Sequence, residues 1–355
     1  MAPFADRLMT MLRLLPPEAA HRVALRALAG DGLRGDRGAP DPLLACRRWG
    51  LDFRNPIGLA AGFDKDGEAW RGALRLGFGF VEIGSVTPLP QPGNPKPRLF
   101  RVPELRAVVN RMGFNSAGHE AVAARLAARD RAAGIVGVNL GKNKDQEDAA
   151  ADYVAGVARF GPLADYLVIN VSSPNTAGLR ALQGRAALEA LLGRIMAARD
   201  ALAQRPPLLL KVAPDLNAEE RRDIAEIALA ARIDGLIASN TTTQRPDDPM
   251  RRHRHLNETG GLSGAPLFAP STELLRDLYR LTEGRITMIG VGGIGSGLDA
   301  YKKIRAGASL VQLYTALVYG GPGLVARIAR DLADCLRQDG FASVDAAVGA
   351  DHRTG

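Results

Sequence analysis

The chain of 355 residues contains only two cysteines, Cys46 and Cys335, far apart and outside any CxxC or cysteine/histidine cluster. A disulfide framework and a zinc site both lack a basis, no metal is expected, and a reducing cytosol is the default environment. No uninterrupted apolar run reaches the roughly 18 residues of a membrane span. Arg13, Pro16, Pro17 and Glu18 interrupt the apolar residues that a signal peptide would need. The chain is therefore expected to touch a membrane surface at most. Its 40 glycines and 22 prolines follow no Gly-X-Y period, and 46% hydrophobic with 24% charged residues excludes a disordered chain. The formal charge of +8 is scattered among acids, and the longest basic run, Arg251 to His255, sits in a Pro/Asp/Asn-rich stretch. That pattern reads as a solvated loop on a generally basic surface, suited to anionic ligands or anionic lipid and not to nucleic acid.

What is present is periodic. Phe4, Leu8, Met11, Leu12 and Leu15 share one helical face until Pro16-Pro17, where a second short helix begins that carries His21, Ala24, Leu25 and Leu28 and stops at Gly30. This predicts an amphipathic hairpin over residues 1–34, packed on the main domain or lying in a membrane interface. Residues 35–54 read as a linker and 341–355 as a flexible tail. Between them, over 55–340, eight short apolar runs alternate with helical patterns: Ile57 to Ala61, Gly79 to Gly84, Ile135 to Leu140, Tyr166 to Val171, Leu208 to Val212, Gly235 to Ala238, Ile286 to Val291 and Ser309 to Leu313. Strict alternation implies a parallel sheet, and eight units imply an α/β protein with a (β/α)8 TIM barrel. An open doubly wound sheet is the alternative, without a Gly-x-Gly-x-x-Gly in the first turn to support it.

Barrel chemistry belongs where strands end. Lys65, Ser85, Asn139, Asn170, Ser173, Ser239, Asn240, Thr241, Tyr314 and Thr315 fall there, as does the glycine-rich stretch Gly290 to Gly295. Four of the eleven asparagines, Asn139, Asn170, Asn175 and Asn240, cluster at these ends, offering the donors and acceptors that read a cyclic amide or an isoalloxazine edge. The glycines after the seventh run suit a phosphate. Lys211 is a lone cation in Leu208 to Val212, costly unless an anion meets it; a Schiff-base lysine is one explanation and a counter-charge for a cofactor another.

Six motifs then carry a resemblance: Ala61-Gly62-Phe63-Asp64-Lys65, Asn110-Arg111-Met112-Gly113-Phe114-Asn115, Asn139-Leu140-Gly141-Lys142-Asn143, Asn170-Val171-Ser172-Ser173-Pro174-Asn175-Thr176, Gly261-Leu262-Ser263-Gly264 and Val291-Gly292-Gly293-Ile294. In order and over the whole chain, they resemble the quinone-dependent (class 2) dihydroorotate dehydrogenases. The resemblance implies FMN as cofactor, oxidation of dihydroorotate to orotate in pyrimidine (UMP) biosynthesis, and a membrane quinone as electron acceptor. It implies a peripheral place at the lipid bilayer surface, on the cytoplasmic side of a bacterial inner membrane, with no obligatory protein partner. Ser173 is implied as the base, where class 1 enzymes look to have cysteine, with Thr176 the nearest relay for its proton. Ala61, Gly62, Phe63, Asp64, Lys65, Ser85, Asn139, Asn170, Lys211, Ser239, Gly264, Gly293, Tyr314 and Thr315 correspond to FMN contacts. Lys65, Asn110, Arg111, Met112, Gly113, Phe114, Asn170, Asn175, Asn240 and Thr241 correspond to substrate contacts, and His21, Arg101 and Tyr314 to a quinone tunnel. Ser85 and Ser239 stand where threonine also occurs in the pattern, and Phe63 where leucine is common. Alternatives are a soluble class 1 enzyme, a barrel lyase using Lys211 as a Schiff base, and a basic binding module.

Overall fold

A computed structural model describes residues 12–30, 40–248 and 252–353. Eight parallel strands close into a barrel: β1 (Ile57–Leu59), β2 (Phe80–Val86), β3 (Ile135–Leu140), β4 (Tyr166–Asn170), β5 (Leu208–Val212), β6 (Gly235–Ala238), β7 (Thr287–Val291) and β8 (Leu310–Leu313). The ring shuts where β8 pairs with β1, Val311 beside Ile57 and Leu313 beside Leu59. Nearly every strand residue is buried, because helices cover the outer face and side chains fill the inner one; this is why the strands read as continuous apolar runs. The helices start at chemically apt residues. Asn217 caps the helix Ala218–Ala230 by accepting from the amides of Glu219 and Glu220, while Glu220 reaches back to the Asn217 amide.

Three regions outside the barrel depart from the sequence reading. Residues 46–53, expected within a linker, form an antiparallel pair, Cys46–Arg48 with Leu51–Phe53. Its two-residue turn holds Trp49 at φ 54° and Gly50 at φ 79°, which suits the twist of a tight hairpin. The pair plugs the barrel floor: Phe53 meets Phe80 edge-on at 5.3 Å, and the Trp49 indole donates to the Asp234 carbonyl at 2.8 Å. Residues 341–355, expected to be flexible, contain a helical turn at Val344–Ala347 whose end residues are fully buried in the core, and the His352 ring lies 4.8 Å from that of Tyr279. A second antiparallel sheet, Leu99–Val102, Ala107–Asn110 and Gly261–Gly264, was not foreseen; it roofs the mouth over its own small core of Phe100, Val102, Val109, Leu256 and Leu262.

Of the hairpin, the structure describes helix α1 (Pro17–Ala29) and the residues just before it; Phe4, Leu8 and Met11 lie outside the described residues. Helix α1 crosses helix α2 (Trp70–Arg75) so closely that a Cβ on Gly72 would overlap the Leu28 backbone. Three barrel arginines hold the hairpin. Arg75 donates to the Leu28 and Gly30 carbonyls at the end of α1, Arg101 to those of Leu12, Arg13 and Leu15, and Arg98 pairs with Glu18 in the first turn. Cations at helix C-termini meet the partial negative charge there. Among the described residues, no helix is long and apolar enough to cross a membrane.

Candidate active site

One cavity of about 890 Å³ opens at the C-terminal end of the barrel and runs out between α1 and the roof sheet. Its deep wall is a chain of polar side chains inside the strands. Asn170 donates to Ser85 Oγ at 2.9 Å and to Asn139 Oδ1 at 3.1 Å, and Ser85 bonds Asn139 in turn. Asn139 donates to the fully buried Glu82 at 2.8 Å, and Gln312 donates to the other Glu82 oxygen at 2.7 Å. Lys211 Nζ stands 3.9 Å from Glu82. Burial depresses the Lys211 pKa, and the Glu82 charge works against that shift. Glu82 and Gln312 escape the sequence reading; the one available signal was an acid alone in an apolar strand run, the same signal that exposed Lys211.

Nearer the mouth, Asn175 donates to Asn110 at 3.1 Å, and Ser173 Oγ accepts the Asn175 amide at 3.2 Å. Asn240 donates to Ser172 Oγ at 3.0 Å and accepts from the Thr241 amide at 2.8 Å. The Thr241 hydroxyl is buried without a partner, and so is that of Thr176. Among the described residues Thr176 makes no hydrogen bond to Ser173, so the expected proton relay does not close through protein atoms alone. Lys65 points into the same space, and no hydrogen bond or ion pair is found for it among the described residues. Burial drops its pKa to about 8, with Asp66 opposing the shift. Gly113 and Phe114 follow with φ of 73° and 52°. A left-handed Phe is strained unless held, and Gln91 holds it by donating to the Phe114 carbonyl at 2.8 Å.

At the other end, Gly264, Gly292 and Gly293 all have positive φ, and Thr315 donates to Ser263 Oγ at 2.8 Å. Toward the exit, His21, Phe63 and Tyr314 form an aromatic triangle with centroids 5.1 to 6.1 Å apart. Burial and, next, the Lys65 charge hold the His21 pKa near 4, so this triangle is neutral.

A sequence model of the family described as dihydroorotate dehydrogenase matches residues 43–336. A Rhodospirillum rubrum protein named dihydroorotate dehydrogenase (quinone) is 62% identical over 342 residues, 96% of this chain and 92% of its own. The chain belongs to the class 2 dihydroorotate dehydrogenase family. The mitochondrial dihydroorotate dehydrogenase (quinone) of mouse is 55% identical over 360 residues, covering 99% of this chain and 91% of its own. The ligand-free Eimeria tenella dihydroorotate dehydrogenase crystal structure superposes with a TM-score of 0.91 at 46% identity, over 95% of this chain and 99% of that one. Membership in the dihydroorotate dehydrogenase family sets aside the lyase and non-catalytic readings.

Most residues expected in this dihydroorotate dehydrogenase site do line the cavity, Ser173, Lys65, Asn110, Asn175, Asn240, Thr241, Lys211 and Tyr314 among them. Three do not. Asp64 turns away and accepts the Glu68 and Ala69 amides at 2.8 Å each, capping the turn that presents Lys65. Asn139 is fully buried behind Ser85 and Asn170, which it orients. Arg111 points outward onto Glu258 at 2.8 Å and over the Phe100 ring, so only its backbone serves the loop. Arg101, expected in the tunnel, lines the exit while capping carbonyls of the hairpin. Arg180 and Asp215, missed in the sequence, pair at 2.8 Å; Arg180 also donates to the Ser172 and Thr241 carbonyls at 3.1 and 2.9 Å, tying two site loops together.

Proposed function

We propose that this protein oxidises dihydroorotate to orotate, a step of pyrimidine biosynthesis, with FMN as cofactor and a membrane quinone as final electron acceptor. The observation that carries the reading is the continuity of one cavity from the polar ring around Ser173 to an apolar limb lined by Ala20, Val23, Ala24 and Leu28 of α1. A charged substrate and a greasy acceptor need such different walls within one space.

The residues fit FMN. Lys211 supplies a cationic donor on the wall that it shares with Ser85 and Asn170, suited to the carbonyl edge of a flavin, and the left-handed turn at Gly292-Gly293 leaves no room for side chains where a phosphate would approach the backbone. When bound there, FMN would supply a two-electron carrier between the substrate and the quinone. The chain does the rest. Lys65, half-buried and without a partner among the described residues, meets the substrate carboxylate. Asn110, Asn175, Asn240 and the free Thr241 hydroxyl read the ring amides. Ser173 removes a proton from the substrate ring: among the described residues its oxygen accepts the Asn175 amide and its own hydrogen has no acceptor. A neutral serine is a weak base, and its proton must pass on; Thr176 offers a free hydroxyl for a bridging water.

The hairpin suits a peripheral seat at the inner face of a bacterial membrane. Leu14 is 83% exposed and Val23 41%, with Arg13, Arg22 and Arg26 also exposed around them, the mix that binds anionic lipid reversibly. The test is direct: the purified protein should be yellow, release FMN on denaturation, reduce a long-chain quinone only when given dihydroorotate, and sediment with anionic vesicles. Colourless protein that cannot be loaded with FMN would refute the reading.

A further inference from the structure

We infer that Asn94, Arg98 and Glu18 are positioning residues for the substrate loop, and that through them the seating of the hairpin on the barrel sets the affinity for the substrate. The inference rests on the dihydroorotate reading above.

Asn94 is the clamp. Its side-chain amide donates to the Arg111 carbonyl at 3.0 Å and to the Asn175 carbonyl at 3.3 Å, and its backbone amide donates to the Met112 carbonyl at 3.0 Å. One residue thus joins the segment 110–114 to the loop after β4 that carries Ser173 and Asn175, although Asn94 itself does not line the cavity. Arg98 holds the clamp in place. It is 6% exposed, and its Nη1 donates to the Pro92 carbonyl at 2.6 Å and to the Asn94 carbonyl at 3.0 Å. The Arg98 carbonyl also accepts the Arg111 amide at 2.9 Å. The turn has no slack between these bonds, since Gly93 sits at φ 75° with the Met112 carbonyl in the space a Cβ would fill.

The charge of Arg98 is met from outside the barrel. Glu18, in the first turn of α1, accepts from Arg98 Nη2 at 2.9 Å and Nε at 3.3 Å; the more exposed Lys96 stands 3.5 Å from the same carboxylate. Pro17, Ala20, His21 and Ala24, on the same helix, line the apolar limb. The helix that walls the exit is therefore bolted to the turn that clamps the substrate loop. A buried guanidinium cannot cheaply lose its partner. If α1 lifts, Arg98 must follow Glu18 or find water, and either course loosens its grip on the Pro92 and Asn94 carbonyls. Coupling of this kind is reciprocal: whatever the hairpin does to substrate binding, substrate binding does to the hairpin.

The experiment uses full-length, FMN-loaded protein and orotate as the probe. Orotate affinity, read from the perturbed flavin absorbance, should weaken about 3–10-fold in Glu18→Gln and more than tenfold in Asn94→Ala, and stay unchanged in Lys96→Met; these sizes match the usual range of coupling energies. FMN content should hold in Glu18→Gln, while its melting temperature falls because Arg98 loses its counter-charge. Hydrogen exchange gives the readout that a purely structural pair would not move: orotate should slow exchange of the amides of residues 17–29 in the wild type and not in Glu18→Gln. Equal orotate affinity in the wild type, Glu18→Gln and Asn94→Ala overturns the inference, as does exchange over 17–29 that ignores orotate in the wild type. A wild type that does not bind orotate at all overturns the dihydroorotate reading and this inference with it.

Discussion

At the barrel floor Arg129 donates to both oxygens of Asp165 at 2.7 and 3.0 Å, Asp165 accepts the Val136 amide at 2.7 Å, and the Trp49 and Phe53 rings meet edge-on with centroids 6.3 Å apart. At the mouth, among the described residues, Thr241 and Thr176 keep buried hydroxyls without partners, and the half-buried Lys65 has no carboxylate in contact. Both ends bury polar groups. The floor pairs its charges with each other, leaving Arg129 Nε without a partner among the described residues, whereas the mouth leaves two hydroxyls and a lysine for a ligand to meet, and an unmet buried polar group costs free energy until one arrives. The contrast separates residues that hold the fold from residues left open to a ligand.

Breaking the mouth should cost activity and spare stability. Ser173→Ala should lower dihydroorotate turnover by about 10²–10⁴-fold with melting temperature and FMN content unchanged, the range for losing a general base; near-normal turnover at neutral pH would remove Ser173 from that role. Breaking the floor should do the reverse. Arg129→Met strands the Asp165 carboxylate and should cost about 3–5 kcal/mol of unfolding free energy, read by denaturant titration, with kcat of the folded fraction unaffected.

The contrast sharpens with pH. Lys65 is charged below its pKa of about 8 and loses its proton as the pH rises through it, so the attraction for a carboxylate fades on that side. KM for dihydroorotate should therefore climb above about pH 8, by at most tenfold per pH unit, and substrate binding should in turn raise the Lys65 pKa. A KM flat to pH 10 would place the carboxylate elsewhere. Trp49→Phe, which loses one hydrogen bond at the floor, should cost only about 1 kcal/mol and leave both kinetic constants alone.

The barrel was legible because each strand is buried on both faces and so stands out as an apolar run between helical periods. Short antiparallel strands gave no such signal. Gly261–Gly264 pairs with Ala107–Asn110 from the distant other half of the chain, and four residues are too few to show alternation. The floor pair hid in an Arg/Gly/Pro-rich stretch because its turn is made by backbone conformation at Trp49 and Gly50, and the tail looked mobile although Val344 and Ala347 anchor it. In the site, many of the residues that line the cavity were legible by their place at strand ends. Their supports were not: Glu82, Gln312, Arg180 and Asp215 act through other side chains or through backbone carbonyls, and no spacing in the sequence marks such a partner.

On the proposed function, one cavity serves two reactants from two differently built limbs. The most direct test is Ala24→Trp, which places a bulky ring in the apolar limb and leaves the polar ring around Ser173 untouched. In a single-turnover experiment on FMN-loaded protein, orotate should form from dihydroorotate at the wild-type rate, while steady-state reduction of a long-chain quinone falls at least tenfold. If both rates survive, the quinone does not use this limb; if both collapse together, the two limbs are not separable and the account is wrong.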